Sequence, residues 1–313
     1  MKEKLLDLLA CPDCYGPLEI KDGKTENGEI KEGSLVCGKC SASFRIVDFI
    51  PRFVETDKYV GNFSFEWKKH RLTQLDSANK TVETEETFKE KTGFDLNSLK
   101  GKFVLDAGCG MGRFMEVVNK YGGEAVGFDL SLAVEAAFDN IGLKPGCHII
   151  QADVFKLPFK KEAFDYIFSI GVLHHTPDTG KAFSQLVPLL KKGGKIAIWV
   201  YSSHLMVTHF FSDIYRKVTT HLPIWLLYPF SYTAIFYYYL VKMPFIGKFF
   251  LFLLPISCDS KWRWRVLDTF DWYSPKYQWK HSYPEVYDWF TESQLGNIRL
   301  LKMPVSIYGE KSR

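Results

Sequence analysis

The chain has 313 residues, of which 46% are hydrophobic, enough apolar material for two cored domains. Its net charge of +4 comes without a strongly basic block, which excludes bulk affinity for nucleic acid as its organising property. Seven cysteines, four of them in two C-x-x-C pairs near the start, exclude a disulfide framework and fit a reduced, cytoplasmic setting with a bound metal. Met1 to Leu9 is charged and amphipathic, unlike a secretory signal.

Residues 1–55 read as a small metal-binding domain. Cys11-Pro12-Asp13-Cys14 and Cys37-Gly38-Lys39-Cys40 are two turns that each converge a pair of thiolates. Together, Cys11, Cys14, Cys37 and Cys40 complete a tetrahedral shell for structural Zn²⁺, with no open position for a reacting water. Leu18–Ile20 and Leu35–Val36 are expected as short strands, with the polar stretch between them as a loop. The pattern C-P-D-C-x-G-x-L, then C-x-x-C, then I-V-D-x-I-P resembles the zinc-ribbon activator of tRNA and rRNA methyltransferases. Similar ribbons are fused in front of many bacterial methyltransferases.

Residues 56–100 form a helical linker or lid. A single amphipathic helix is expected over Lys58–Asn79, with a basic patch Lys68-Lys69-His70-Arg71, and a second helix over Thr87–Thr92. Trp67, Arg71 or Gln74 could reach over a neighbouring ligand site.

From residue 101 strands and helices alternate. Strands are expected to Ala107, at Ala125–Asp129, His148–Gln151, Phe164–Ile170 and Lys195–Tyr201; helices are expected at Arg113–Tyr121, Ser131–Ile141 and Lys181–Leu190. This is an α/β order, a Rossmann-like doubly wound parallel sheet with ligands at the carboxyl ends of its strands. The first strand ends in D-x-G-x-G-x-G, Asp106 to Gly112, a turn stripped of side chains so that a ligand can approach its backbone N–H groups. Arg113 stands where a dinucleotide fingerprint needs Gly or Ala. Asp129 and Asp153 follow the second and third strands; the former suits two ribose hydroxyls, the latter an adenine amino group. Asp106 suits a charged amine. Cys109 fits the tight loop as a small packing residue.

The motifs V-L-D-A-G-C-G-M-G-R-F, V-G-F-D-L-S, Q-A-D-V-F-K-L-P-F, F-D-Y-I-F-S-I-G-V-L-H-H-T-P-D and L-L-K-K-G-G-K-I-A-I-W-V-Y occur in that order. They resemble class I S-adenosylmethionine-dependent methyltransferases, most closely the group that contains quinone methylases. The resemblance implies S-adenosylmethionine as cofactor, with Gly108, Gly110 and Gly112 along its methionine part. It implies Asp129 and Leu130 at the ribose, Asp153 and Val154 at the adenine, and Ile170 and Gly171 beside the reactive methyl. A base is needed only for a protonated acceptor. The candidates are His174, His175, Tyr201 and His204 near the strand ends, with Tyr277 and His281 in the later segment.

The insertion, residues 203–262, interrupts the methyltransferase domain of residues 101–313. Leu222–Val241 carries no charge and has the length of a membrane span, but Pro223, Pro229 and its tyrosines suit one poorly. It reads as a hydrophobic helical lid that either makes peripheral membrane contact through 205–256 at the inner face of a membrane or encloses an apolar acceptor, the alternative being a buried cap or an oligomer interface. Residues 268–283, dense in aromatic and polar groups, are expected as an irregular loop walling the acceptor site. A last helix opens at Pro284-Glu285, and strands at Asn297–Leu301 and Val305–Tyr308 close the sheet. The acceptor is therefore expected to be small and hydrophobic or lipid-like. The alternatives are an RNA acceptor gripped by the ribbon and a non-catalytic partner subunit. Nothing in the sequence fixes the oligomeric state.

Overall fold

The computed structural model describes residues 1–55, 58–204 and 206–312. Thr56 and Asp57, where the bridge begins, and Leu205, the first residue of the expected membrane-contact stretch, lie outside the described residues.

After a 3₁₀ turn at Glu3–Leu8 come β1 (Leu18–Glu26), β2 (Glu29–Cys37), β3 (Ser43–Val47) and β4 (Ile50–Arg52), an antiparallel meander. β1 and β2 run well beyond the short strands expected. Asn27 and Gly28 both have positive φ, 53° and 78°. That is the two-residue turn whose twist matches a hairpin, so the ladder runs through polar, exposed residues to its tip.

The bridge is not one helix. α1 (Gly61–His70) ends before α2 (Asp76–Asn79), and α3 (Glu83–Thr92) starts earlier than expected. The break is stabilised by Asn79, whose side-chain amide donates to the carbonyls of Leu72, Thr73 and Leu75. The carboxylate of Asp76 accepts the N–H groups of Thr84 and Glu85, which caps α3 from a distance and fixes its earlier start.

β5 (Phe103–Ala107), α4 (Arg113–Lys120), β6 (Glu124–Asp129), α5 (Ala133–Ala137), β7 (Cys147–Gln151), β8 (Phe164–Ile170), α6 (Thr179–Leu186) and β9 (Leu190–Trp199) follow. The insertion supplies α7 (Met206–Thr219), α8 (Ile224–Ser231), α9 (Thr233–Val241) and α10 (Gly247–Leu253), and α11 (Trp262–Tyr273) returns the chain. α12 (Tyr283–Glu292), opened by a Ser282–Glu285 capping box, leads to β10 (Leu295–Leu300) and β11 (Ser306–Lys311).

All eleven strands belong to one sheet, in the order β1-β2-β3-β4-β7-β6-β5-β8-β9-β11-β10. β5 to β9 are parallel, with β6 and β7 on one side of β5 and β8 and β9 on the other. The reversal at β5 opens a crevice at the strands' carboxyl ends. The N-terminal meander is joined to this sheet by the β4–β7 pair Arg52–Gln151 and by Phe53 N–H donating to the Gln151 carbonyl. Leu5, Leu9 and Leu35 share one core with Phe128, Phe159 and Phe164.

Residues 268–273 are not loop but the last turns of α11. Val266, Phe270 and Tyr273 recur at helical spacing and are buried, so the aromatic density there marks a packed face. Only 274–282 is irregular, with Arg216 donating to the carbonyls of Trp272 and Pro275. Among the described residues no helix is long and apolar enough to cross a membrane.

Candidate functional site

In the N-terminal meander the four sulfurs lie within 4.8 Å of one another, Cys11 to Cys40 at 3.6 Å and Cys14 to Cys37 at 3.5 Å. Four thiolates at Zn–S distances near 2.3 Å stand roughly 3.8 Å apart, so the donor set fits one tetrahedral thiophilic ion. Gly16 permits this closeness, because a Cβ there would lie 2.9 Å from the Cys37 sulfur.

The second site is a cavity of about 630 Å³ at the carboxyl ends of β5, β6, β8 and β9, roofed by α1, α3 and α11. Its floor is the loop after β5. Gly108 and Gly110 have φ of 89° and 50°, a region that side chains disfavour. A Cβ on Gly108 would lie 2.2 Å from Val172, and one on Gly110 would lie 3.3 Å from the Trp67 indole nitrogen. The loop is thus a bare cradle with Trp67 laid over it. At the end of β6, Asp129 accepts the Gly110 N–H at 3.0 Å and both the N–H and the hydroxyl of Ser131. Burial raises its pKa, and those hydrogen bonds oppose the rise. Leu130, Asp153, Val154, Ile170 and Gly171 also border the cavity, and Asp153 accepts the Phe155 N–H.

Asp106 and Gly112 do not border it. Gly112 starts α4 and packs near Ile141, whereas Asp106 is buried behind the loop with one carboxylate oxygen unpartnered. Burial, and then the neighbouring Asp129, push the Asp106 carboxyl well above its ordinary pKa. The expected contact between Asp106 and a charged amine is therefore not formed by the cavity wall, because the carboxyl lies behind the loop.

The expected bases separate. His175 borders the cavity; its Nδ1 donates to the Tyr277 carbonyl at 2.8 Å, which leaves the Nε2 lone pair facing Asp271 at 4.0 Å. Tyr201, also on the wall, donates its hydroxyl to Asp271 at 2.8 Å. His174 is fully buried off the cavity, stacked on the Tyr201 ring at 3.9 Å. His281 is engaged by Glu285 and Thr179, joining the cap of α12 to α6 away from the cavity. His204 is exposed, and Tyr277 stacks on Trp279.

Of the lid residues, Trp67 and Gln74 reach the cavity, but Arg71 instead donates to Asn140. The expected basic patch is only partly a surface, with Lys68 and Lys69 exposed. Lys68 pairs with Glu135, and His70 is buried against Tyr228, because consecutive residues of a helix face different directions.

Glu66, Arg113 and Lys91 border the cavity without having been expected there, whereas Asp268 and Asp271 belong to the stretch 268–283 expected to wall it. Glu66 is 1% exposed with an unpartnered carboxylate oxygen. Arg113 emerges from the glycine loop; burial lowers its pKa to about 10 while Asp268 and Asp106 oppose the fall. Asp268, pushed by burial to about 7, accepts from the Ser257 hydroxyl, and Asp271 sits one turn along α11. Lys91 of α3 is 8% exposed, with its ammonium 3.3 Å from the centre of the Trp199 ring. A signal for Lys91 was present, since Thr84, Phe88 and Lys91 form one buried stripe of α3.

Residues 105–198 match the family described as "Methyltransferase domain", and residues 2–48 match the family described as "Trm112p-like protein". The chain joins a Trm112p-like module to a methyltransferase domain. It is 30% identical over 150 residues to Sterol 4-C-methyltransferase strm-1 of Caenorhabditis elegans, covering 46% of this chain and 42% of that protein. It is 30% identical over 131 residues to Ubiquinone biosynthesis O-methyltransferase of Coxiella burnetii (strain Dugway 5J108-111), 40% of this chain and 49% of that one. Over 113 residues it is 30% identical to Probable tRNA methyltransferase 9B of Bos taurus, 35% of this chain and 24% of that one. The chain thus spans less than half the length of each of these relatives.

Proposed function

We propose that the cavity binds S-adenosylmethionine and that the chain transfers its methyl group to a largely apolar acceptor taken from a membrane surface. The observation that carries this reading is one cavity with two kinds of wall. A bare glycine cradle and strand-end acids form the floor, and Phe63, Trp67, Trp264, Leu267 and Trp272 form an aromatic, apolar roof.

The floor fits the cofactor. Gly108 and Gly110 would line its methionine part, Asp129 with Leu130 its ribose, and Asp153 with Val154 its adenine, leaving Ile170 and Gly171 beside the methyl. Bound there, it would supply a methyl already activated on a cationic sulfur, so the protein's main task is alignment. His175, Asp271 and Tyr201 offer the acceptor a positioned set of polar partners. His174 and His281 support these walls from behind. The intact cradle and acids also speak against a non-catalytic subunit.

Support for the membrane source lies in the insertion. Most of the exposed large apolar side chains fall between Phe210 and Leu253, with Trp225 75% and Phe236 78% exposed and Phe245 wholly so. Lys242 and Lys248 lie among them, and no acid occurs between Asp213 and Asp259. Short apolar helices edged with aromatic rings and lysines suit a bilayer surface with anionic headgroups. α8 and α9 pack on α11, the helix that walls the cavity. The four-cysteine cluster is assigned structural Zn²⁺.

The test supplies methyl-tritiated S-adenosylmethionine to the purified chain with an extract of its own cells. Label in the organic phase is expected. Label confined to the RNA pellet overturns the acceptor class, and absence of S-adenosylmethionine binding in calorimetry overturns the whole reading.

A further inference from the structure

Lys91 is out of place as a structural residue. Lysine is seldom buried without a charged partner. Among the described residues no carboxylate lies within 4.0 Å of the Lys91 ammonium, although α3 presents its opposite face to water. The side chain turns inward to the cavity wall and rests on the face of Trp199. That ring in turn lies against Gly171, 3.2 Å from where a Cβ would be. Lys91, Trp199 and Gly171 therefore form a continuous row ending where the reactive methyl is proposed to sit.

We propose that Lys91 Nζ takes the proton of the methyl acceptor, which makes that acceptor a mainly apolar molecule with an acidic hydroxyl of the phenol or enol class. The inference rests on the methyltransferase reading above. Burial lowers Lys91 to a pKa of about 7; Arg113 of α4 adds to the fall, whereas Asp268 of α11 and Glu90 of α3 oppose it. His174, in the turn after β8, feels the Lys91 charge in its own titration. An amine in this range is neutral for much of the time near pH 7, as a base must be. It is matched to a phenol or enol; an aliphatic alcohol is too weak an acid, and a carboxylate needs no base.

In the step, the acceptor's hydroxyl proton passes to the neutral amine. The oxygen lone pair forms the new O–CH₃ bond as the S–CH₃ bond breaks, and the bonding pair of the latter stays on sulfur. The sulfonium becomes a neutral thioether and its positive charge is now carried by Lys91 as an ammonium, which returns its proton to solvent.

Two measurements test this. The first uses an alkyl-substituted 4-nitrophenol, whose phenolate is visible by absorbance. The wild-type chain should bind it with an apparent pKa at least one unit below that in Lys91→Met, with Lys91→Arg restoring the shift. The second follows label from methyl-tritiated S-adenosylmethionine into the organic phase of the cell extract. Lys91→Met and Lys91→Arg should each lose at least about a hundredfold in rate. The wild-type decline below pH 7 should disappear from the residual rate, while S-adenosylmethionine affinity stays within about twofold by calorimetry, which also reports on folding. The labelled product should survive mild alkali, as an ether does.

The proposal is overturned if Lys91→Met keeps the rate and its pH profile, or if the acid limb vanishes in His175→Gln instead. It is equally overturned if Lys91→Met loses S-adenosylmethionine binding, or if alkali releases the label as methanol from an ester. Label confined to the RNA pellet, or no cofactor binding by the wild type, is a failure of the underlying reading.

Discussion

At the scale of single residues, the cradle depends on the absence of a side chain. Gly108 combines a φ of 89° with a wall of Val172 only 2.2 Å from its would-be Cβ. Gly108→Ala should cost about 2–4 kcal/mol in stability from left-handed strain and overpacking. It should also weaken S-adenosylmethionine binding at least tenfold, read by thermal unfolding and calorimetry on the same sample. Unchanged values for both would mean that the loop is not a close-approach surface. A second residue, His70, couples α1 to α8 through its Nε2 and the Tyr228 hydroxyl at 2.9 Å. Burial, then Lys69 and Arg263, lower its pKa to about 4. The unfolded imidazole takes a proton near pH 6.5 and the folded one resists until about 4, so this group's stability contribution is complete above 6.5 and is lost as pH falls between those values. The loss is on the order of 2 kcal/mol, allowing for partial exposure. Thermal unfolding midpoints of His70→Gln should fall less steeply than wild type over that window. The strand-end acids and the glycines were legible in the sequence because they follow strands at fixed offsets. Glu66 was not, and Lys91 was marked only by its spacing from Thr84 and Phe88 on α3, because helices outside the repeating strand–helix pattern bring them in and tertiary packing aims them at the cavity.

At the scale of elements, the methyltransferase strands were legible because buried parallel strands are continuous apolar runs. The misses have local causes. The β1–β2 ladder extends because Asn27-Gly28 is a hairpin turn, a signal masked by the polar composition around it. The expected long bridge helix breaks because Asn79 satisfies three carbonyls outside any helix. α11 looked irregular because its apolar stripe is aromatic and shares its turns with Asp268 and Asp271. The zinc-ribbon cysteines were plain from spacing alone. Their consequence is larger than that of an appended bead, since the meander shares the main core and adds four strands to the sheet. Removing the metal with a chelator, or Cys14→Ser, should therefore lower the unfolding midpoint of the whole chain in one transition. Atomic spectrometry should find one zinc per chain beforehand. Purification without zinc and with an unchanged melt would contradict the assignment.

At the scale of the molecule, the sheet orders the site and the insertion faces outward. On the proposed function the glycine cradle at the β5 switch point holds one ligand; α1, α3 and α11 close over the cavity in which a second would meet it. The join between β4 and β7 could not be read from the sequence, because it rests on one bridged pair and a core assembled from distant segments. The exposed rings of α8 to α10 were visible in the sequence only as an apolar stretch; their exposure is a property of the fold. On the proposed function this surface delivers an apolar acceptor to the cavity, and one comparison tests that delivery. Lipid extract of the chain's own cells is presented in anionic vesicles or in detergent micelles, with methyl-tritiated S-adenosylmethionine, to wild type and to the variant Trp225→Ser/Phe245→Ser. Wild type should label lipid from both, and the variant should lose at least tenfold on vesicles while matching wild type on micelles. Equal labelling from vesicles by both proteins, or no lipid labelling by wild type from either, would contradict it.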